Sequence, residues 1–345
     1  MRSQLNLILN EYQQLSIRYD LKDKALWYYM KPTPRPCFTP TLLHEIRQFQ
    51  LSVIHSYDDL RVDSDHPLNY LVLASQTPEV FNLGGDLNLF AQHILEKNYD
   101  HLLAYAKACI DVLYENAVNL SLPITTISLV EGTALGGGFE AALSSNVLIA
   151  ERSAELGLPE ILFNLFPGMG AYSLLARRVG IVEAEKMITS GKVYSAADLY
   201  DMGVVDVLAE DGKGKEAVST YIKSHRRAQN GMQAVRDARQ RFHPITYDEL
   251  MDITKIWVDA ALNLERKDLR MMERLVRAQD KRRNKSVKQS GHIHLVRTKQ
   301  NRRITTMAKF PLRNSQGVTI TYDRRSTADR RNHSSTTYIP QVAVN

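Results

Sequence analysis

The sequence lacks any long apolar run. No stretch of its 345 residues reaches the ~18 consecutive apolar residues that a membrane-spanning helix needs. The first fourteen residues contain a single basic residue and no extended apolar core, so we expect no secretory signal peptide there. These absences predict a cytoplasmic protein without a membrane span.

Cysteine is also scarce. The chain has only two cysteines, Cys37 and Cys109, which are too few for a disulfide framework and lack the spacing of metal ligands. We therefore expect reduced thiols, as is usual in the cytoplasm. We expect no bound metal.

Charge is unevenly distributed along the chain. Lys and Arg number 44 against 38 Asp and Glu, a net charge of +6. Residues 281–345 alone contain 15 basic and 2 acidic residues, which leaves 29 basic and 36 acidic residues in 1–280. The positive charge that would favour a polyanionic partner therefore belongs to the C-terminal segment, and the rest of the chain is mildly acidic.

Strand-like and helix-like segments alternate. Short apolar runs are typical of strands buried on both faces, and they predict strands at 69–75, 124–130, 146–151 and 204–208. Apolar residues at helical spacing predict helices over 41–61 and 88–116. Residues 1–40 combine strand-like pieces with a proline cluster, which indicates a hairpin or an edge piece. This alternation predicts an α/β fold.

The pattern divides the chain into three regions. We expect a catalytic core with an N-terminal extension over 1–212 and a helical region of three segments over 213–283. Within the helical region, Thr246 and Glu249 have the spacing of a capping box. Residues 284–345 have few aliphatic residues and many Arg and Lys, so we expect a basic, disordered or weakly ordered tail.

A glycine-rich run, GTALGGG at 132–138, follows a predicted strand and precedes a helix-like segment. Such a turn exposes backbone N–H groups at a helix N-terminus, where the helix dipole also favours negative charge. The run lacks the Gly-Lys-Ser/Thr of a phosphate loop and the spacing of a dinucleotide-binding turn. Two readings remain: the turn stabilises negative charge on a ligand, or it serves packing alone.

Two glutamates lie near this turn or in an apolar stretch. Glu140 follows the glycines on the first predicted helical turn, and Glu160 lies among leucine, isoleucine and phenylalanine. Burial among such side chains raises the pKa of a carboxyl group. A pair of carboxylates beside an anion-stabilising turn is suited to acid–base chemistry. The alternatives are that Glu140 caps a helix and that Glu160 forms a surface ion pair.

A second glycine turn lies upstream, in NLGGDL at 82–87. It follows the strand predicted at 69–75 after a short link. Gly84 and Gly85 again leave backbone N–H groups accessible near the end of a buried strand. Two N–H groups from different turns make an oxyanion hole.

Three motifs together resemble the crotonase (enoyl-CoA hydratase/isomerase) superfamily: FNLGGDL at 81–87, EGTALGGGFE at 131–140 and GLPE at 157–160. Within it, the chain resembles the diffusible signal factor synthases, bacterial quorum-sensing enzymes that make cis-2-unsaturated fatty acids. The segments that carry this closer resemblance are VFNLGGDL, ALGGGFEAALS, GLPEILFNLFPGMGAYS, ITKIWVDAA and RMMERLVRAQ. It covers roughly residues 20–283 and does not extend to the tail.

The resemblance implies a crotonase-type spiral of β-β-α units, with C-terminal helices that mediate trimer packing. It implies a 3-hydroxyacyl thioester of acyl carrier protein as substrate, and dehydration and thioester hydrolysis in one pocket, without a cofactor. Matched by position, the catalytic pair is Glu140 and Glu160, and the oxyanion donors are the N–H groups of Gly85 and Gly137. The acyl pocket would consist of Leu135, Gly136, Met169, Trp257 and Leu275.

Other readings stay open. The chain is alternatively an enoyl-CoA hydratase or isomerase that acts on CoA thioesters, or a non-catalytic binding protein of the same fold, although the presence of both glutamates argues against the latter. Met169, Trp257 and Leu275 also fit a plain hydrophobic core. The basic tail is a solubilising extension, a contact for an acidic partner such as acyl carrier protein or a sensor kinase, or a non-specific site for nucleic acid or anionic lipid.

Overall fold

The computed structural model describes four stretches of the chain: residues 11–62, 68–290, 312–313 and 319–320. The chain divides into two compact units, residues 1–291 and residues 292–345. All the elements that form the candidate site belong to the first unit.

A six-stranded sheet forms the centre of the first unit. Side by side, its strands are β1 (Leu15–Asp20), β2 (Ala25–Met30), β3 (Tyr70–Ser75), β5 (Thr125–Val130), β7 (Val147–Glu151) and β10 (Val207–Ala209). β1 and β2 form an antiparallel hairpin, and all other neighbours are parallel. Every residue of β2, β5 and β7 is buried, as expected for strands covered on both faces.

A second, four-stranded sheet consists of β4 (Val80–Asn82), β6 (Thr133–Leu135), β8 (Glu155–Gly157) and β9 (Val193–Ser195). β4, β6 and β8 are parallel, and β9 is antiparallel to β8. In the chain, β3 is followed by β4, β5 by β6, and β7 by β8. Each such pair adds one strand to the six-stranded sheet and one to the four-stranded sheet before the next helix begins. This repeat of β-β-α units confirms the predicted α/β fold.

Helices enclose the sheets. In chain order they are α1 (Pro40–Val62), α2 (Leu87–Leu95), α3 (Tyr99–Ala117), α4 (Gly137–Leu143), α5 (Ala171–Val179), α6 (Ile181–Ser190), α7 (Ala196–Asp201), α8 (Gly214–His225), α9 (Gln229–Phe242), α10 (Tyr247–Leu262) and α11 (Arg266–Ser290). Short 3-10 helices span Asn119–Ser121, Pro159–Phe163 and Arg226–Ala228.

The core lies on both faces of the six-stranded sheet. Along β3, Leu71 and Leu73 belong to the larger apolar cluster, whereas Val72 belongs to a second cluster that includes Val218 and Ile222 of α8. This alternation follows from the two-residue period of a strand. The sheet is therefore packed on both sides, which explains why the sequences of its central strands are continuous apolar runs.

Some predicted bounds were wrong. The helix predicted over 88–116 is two helices, α2 and α3. The break occurs because Lys97 adopts a left-handed φ of 51° and Asn98 caps α3, accepting a hydrogen bond from the His101 N–H at 3.1 Å. The strand predicted at 204–208 is β10, which begins later and ends later, over Val207–Ala209. The helical region has four helices, α8 to α11, in the described part of the chain, instead of three.

α11 continues past residue 283 to Ser290. Most of the tail predicted over 284–345 lies outside the described residues, so the division into three regions stays a prediction. In the second unit the described residues form β11 (Leu312–Arg313) and β12 (Thr319–Ile320), which pair antiparallel. Within the stretches that the structure describes, no helix has both the length and the apolar character to cross a membrane.

Candidate active site

Three chain segments meet where β4, β6 and β8 end. Because these strands are parallel neighbours, their carboxyl ends lie at one edge of the smaller sheet. The loop of Gly84 and Gly85 follows β4, the glycines at the start of α4 follow β6, and the 3-10 helix that carries Glu160 follows β8. The topology thus brings together the three motifs that are far apart in sequence.

The turn before α4 requires glycine. Gly136 has a φ of 50°, which L side chains rarely adopt, and its N–H donates to the Gly157 carbonyl at 2.9 Å. A Cβ on Gly137 would lie 2.5 Å from Met169 Sδ, and one on Gly138 would overlap the Asn82 carbonyl. As the first residue of α4, Gly137 has an N–H without a partner inside the helix.

The loop after β4 packs against this turn. Gly84 has a φ of 90°, and a Cβ there would lie 2.9 Å from the Gly137 nitrogen. The Gly84 N–H donates to Asn82 Oδ1 at 2.8 Å, and the Asp86 N–H donates to Tyr105 Oη at 3.1 Å. The Gly85 N–H between them is therefore left to face Gly137, whose Cβ position would be 3.5 Å from the Gly85 nitrogen.

Glu140 is buried on α4 and points at the start of another helix. Its Oε1 accepts hydrogen bonds from the N–H groups of Met169 and Ala171, both at 2.8 Å. Ala171 is the first residue of α5, so the N-terminus of α5 holds this carboxylate. The alternative that Glu140 merely caps its own helix is not what the structure shows.

Glu160 lies on the 3-10 helix, one residue after Leu158–Pro159. Its Oε2 is buried and has no hydrogen-bond partner among the described residues. Its Oε1 occupies the space that a Cβ on Gly136 would need. No ion pair involving Glu160 occurs in the part of the chain that the structure describes, so the surface ion-pair alternative is not supported.

The protonation states of the Glu140 and Glu160 carboxyl groups are coupled. Burial raises the pKa of Glu140 to about 7, against a lowering effect of the two backbone N–H groups that bind it. Burial, together with the nearby charge of Glu140, raises the pKa of Glu160 to about 8. Because the groups are coupled, the values belong to the pair, which carries one proton mainly between about pH 7 and about pH 8.

The pair faces a narrow, mostly apolar cavity of about 50 Å³. Its wall includes an aromatic series: Phe90 packs edge-on against Tyr105 and Trp257, with ring centroids 5.1 Å apart in both pairs. The lining residues are Leu83, Gly84, Gly85, Leu87, Phe90, Tyr105, Ala106, Cys109, Gly136, Gly137, Glu140, Pro159, Glu160, Phe163, Leu165, Gly168, Met169, Trp257 and Leu275. Trp257 belongs to α10 and Leu275 to α11, so the C-terminal helices close the cavity.

Of the nine residues singled out in the sequence, eight line this cavity. Leu135 is the ninth; it is half-buried in β6 and lies outside the lining. The sequence reasoning missed Phe90, Tyr105 and Cys109. Their helical spacing indicated a buried face, but no residue pattern indicated that this face turns toward the two glycine turns.

The fold and this site define a class of α/β proteins in which two glycine turns and two buried carboxyl groups surround one apolar cavity. Residues 47–255, more than half of the chain, match the family model described as enoyl-CoA hydratase/isomerase. The chain belongs to the enoyl-CoA hydratase/isomerase family.

Two curated relatives illustrate the range of the family. The chain is 30% identical over 193 residues to the fatty acid oxidation complex subunit alpha of Idiomarina loihiensis, which covers 55% of this chain and 24% of that protein. It is 29% identical over 198 residues to the mitochondrial methylglutaconyl-CoA hydratase 1 of Pyricularia oryzae, covering 52% of this chain and 55% of that protein. The matches thus span about a quarter and about half of these relatives.

Solved structures share the crotonase fold with this chain. DspI of Pseudomonas aeruginosa matches with a TM-score of 0.56 at 22% identity, over 72% of this chain and 96% of that chain. An enoyl-CoA hydratase from Bacillus halodurans matches with a TM-score of 0.62 at 16% identity, over 76% and 99%. The human mitochondrial delta3-delta2-enoyl-CoA isomerase matches with a TM-score of 0.61 at 16% identity, over 78% and 99%.

Proposed function

We propose that this protein makes a cis-2-unsaturated fatty acid signal from a 3-hydroxyacyl thioester of acyl carrier protein, by dehydration followed by thioester hydrolysis. The observation that carries the proposal is the pairing of two buried, coupled carboxyl groups with two glycine turns in one apolar cavity. The sequence resemblance to diffusible signal factor synthases supports the particular substrate and product.

The glycine turns bind the thioester oxygen. The N–H groups of Gly85 and Gly137 point at this oxygen and stabilise the negative charge that develops on it. Both groups are available for this role because Gly137 is the first residue of α4 and the neighbours of Gly85 have their own partners. Such donors act strongly in a site that excludes water.

Dehydration uses the shared proton of the carboxyl pair. One glutamate removes the C2 proton, an enolate-like charge forms on the thioester oxygen, and the C3 hydroxyl leaves as water after it is protonated by a carboxylic acid. The raised pKa values of Glu140 and Glu160 allow one of the pair to be an acid while the other is a base near neutral pH. We assign the two roles to the pair jointly.

Hydrolysis uses the same oxyanion hole. Water, deprotonated by a glutamate, attacks the thioester carbonyl carbon, the tetrahedral oxyanion forms between the same N–H groups, and the C–S bond breaks as the carrier thiol takes a proton. The cavity also contains Cys109, but burial strongly raises the pKa of this thiol. It therefore stays protonated and is a poor nucleophile, which favours direct attack by water.

Partners and location are further parts of this proposal. We propose a homotrimer in the cytoplasm, with the basic segment 281–345 available to an acidic partner such as acyl carrier protein or a sensor kinase. The segment's 15 basic against 2 acidic residues support this last assignment.

The test is mass spectrometry of lipid extracts from a heterologous host that expresses the wild-type protein, Glu140→Ala or Glu160→Ala. We expect a free cis-2-enoic acid with the wild type alone. Glu45→Ala is the matched control: Glu45 is also buried and also accepts two backbone N–H bonds, from Gln13 and Gln14, but does not line the cavity. It should retain the product.

A second candidate function is hydration or isomerisation of enoyl-CoA thioesters. The family match and the CoA thioester in the name of one relative, methylglutaconyl-CoA hydratase 1, favour it. Hydration of a CoA thioester by the purified protein, together with no free acid from acyl carrier protein thioesters, would replace the first proposal by this one.

A further inference from the structure

Tyr105 connects two backbone segments at the edge of the cavity. Its ring is buried on α3, and its Oη accepts the Asp86 N–H at 3.1 Å and donates to the Phe38 carbonyl. Phe38 and Asp86 belong to segments that are distant in sequence. A single phenol thus satisfies one backbone donor and one backbone acceptor in a buried environment.

The two segments are already paired beside the glycine turn. The Leu83 N–H donates to the Pro36 carbonyl at 2.7 Å, and the Phe38 N–H donates to the Gly84 carbonyl at 2.8 Å. Phe38 and Gly85 form a parallel bridge. This pairing directs the Leu83 N–H and the Gly84 carbonyl toward segment 36–38, so the Gly85 N–H faces the other side, toward Gly137.

The pairing ends immediately after Gly85. Asp86 caps α2, and its side chain accepts the N–H groups of Asn88 and Leu89, so the side chain of Asp86 is committed to the helix. The Asp86 backbone N–H has Tyr105 Oη as its partner. The phenol therefore fixes the peptide that follows Gly85, at the point where the chain turns from the bridge into α2.

We infer that Tyr105 is a positioning residue that holds the Gly85 N–H in the orientation required for an oxyanion hole. The inference rests on the proposed role of Gly85. The phenol does not itself bind the substrate oxygen, because its one proton is donated to the Phe38 carbonyl. Burial raises the pKa of Tyr105 well above its ordinary value, so the phenol keeps this proton throughout the working pH range.

The test compares Tyr105→Phe with Tyr28→Phe in the full-length protein. Tyr105→Phe removes one hydroxyl and keeps the ring that packs on Phe90. Tyr28→Phe is the matched control: it removes a fully buried hydroxyl that donates to Asn116 at 3.1 Å and does not line the cavity. Both variants lose one buried hydrogen-bonding group, so their melting temperatures should fall by similar amounts.

For Tyr105→Phe we expect kcat for dehydration and kcat for hydrolysis to fall by the same factor, roughly 10- to 100-fold, which is somewhat less than the loss of an oxyanion donor. KM should stay within about twofold, since the acyl pocket is unchanged. A wild-type kcat in Tyr105→Phe, an equal fall in Tyr28→Phe, or a change in KM alone would overturn the inference.

A second measurement does not depend on activity. Amide hydrogen exchange, read by mass spectrometry, should be faster in the peptide that contains residues 83–90 in Tyr105→Phe and unchanged in Tyr28→Phe. Unchanged exchange in Tyr105→Phe would overturn the inference whatever the protein catalyses. A different outcome is that exchange is faster in Tyr105→Phe but the wild-type protein neither dehydrates nor hydrolyses thioesters. That outcome would overturn the proposed function and leave Tyr105 as the residue that orders this loop.

Discussion

The carboxylate oxygen Oε1 of Glu160 packs so closely against Gly136 that a Cβ on Gly136 would overlap it. Gly136 also has a φ of 50°, in the region that favours glycine. The glycine therefore has two functions, since it shapes the turn before α4 and admits the second carboxylate to the site. This relationship links the two motifs that are twenty-odd residues apart in the chain.

Gly136→Ala should displace the Glu160 carboxylate and reduce kcat for both reactions by at least about 10²-fold, comparable to the loss of an oxyanion donor. Gly231→Ala is the control, because Gly231 lies in α9 with nothing within 4 Å of an added Cβ. It should leave kcat unchanged and stabilise α9 by about 0.5–1 kcal/mol. Full activity in Gly136→Ala would show that the Glu160 carboxylate has another position available to it.

Glu160→Gln should stabilise the protein at alkaline pH. The pKa of Glu160 is raised from its ordinary value of 4.5 to about 8 in the folded protein. Between these values the folded state keeps a proton that the unfolded state releases, so stability falls as pH rises through this window. Glutamine cannot ionise and escapes this loss.

Thermal unfolding from pH 4.5 to pH 9 tests this. The difference in melting temperature between Glu160→Gln and the wild type should be near zero at the acid end. It should become increasingly positive up to about pH 8. The control is Glu216→Gln, which removes an exposed glutamate paired with Lys213 and should have little effect. A difference that does not vary with pH would contradict the assigned direction of the Glu160 shift.

The pH profile of the dehydration rate should be bell-shaped and narrow. The coupled pair loses its protons in steps at about 7 and about 8, so the singly protonated form predominates between them. Below this range the base is protonated, and above it the acid is lost. We expect kcat/KM for dehydration to be highest between these values. A flat profile from pH 5 to pH 9 would rule out proton sharing by the pair.

Met169 lines both the candidate active-site cavity and a second cavity of about 20 Å³. Met169→Ala should join the two and shift the released acids toward longer chains, at a cost of about 2–5 kcal/mol in stability. Met187→Ala is the matched control, since Met187 is also buried, on α6, but lines neither cavity. Mass spectrometry of the acids should show no shift for it. An unchanged chain length in Met169→Ala would show that Met169 does not limit the length of the acyl chain.

The parts of the site that are encoded locally could be predicted from sequence. Glu140 lies three residues after Gly137 on one helix, and Glu160 lies three residues after the end of β8, so short motifs specify both. The alternation of strands and helices could also be predicted, since strands buried on both faces have continuous apolar runs.

Other features depend on tertiary packing. Whether Tyr105 faces the glycine loop is decided by how α3 packs, and Tyr105 differs in no local signal from other buried tyrosines. The family resemblance implies that Leu135 belongs to the acyl pocket, but it lies in β6 outside the cavity lining. The break between α2 and α3 arises from the left-handed φ of Lys97, which no propensity indicates.

The most direct test of the central claim is to incubate the purified protein with a 3-hydroxyacyl thioester of acyl carrier protein in oxygen-18 water. The account predicts a free 2-enoic acid with one labelled oxygen in its carboxyl group from the wild type and from Glu45→Gln, and none from Glu140→Gln or Glu160→Gln. Acyl groups that remain on the carrier protein with the wild type, or labelled acid from both cavity variants, would contradict it.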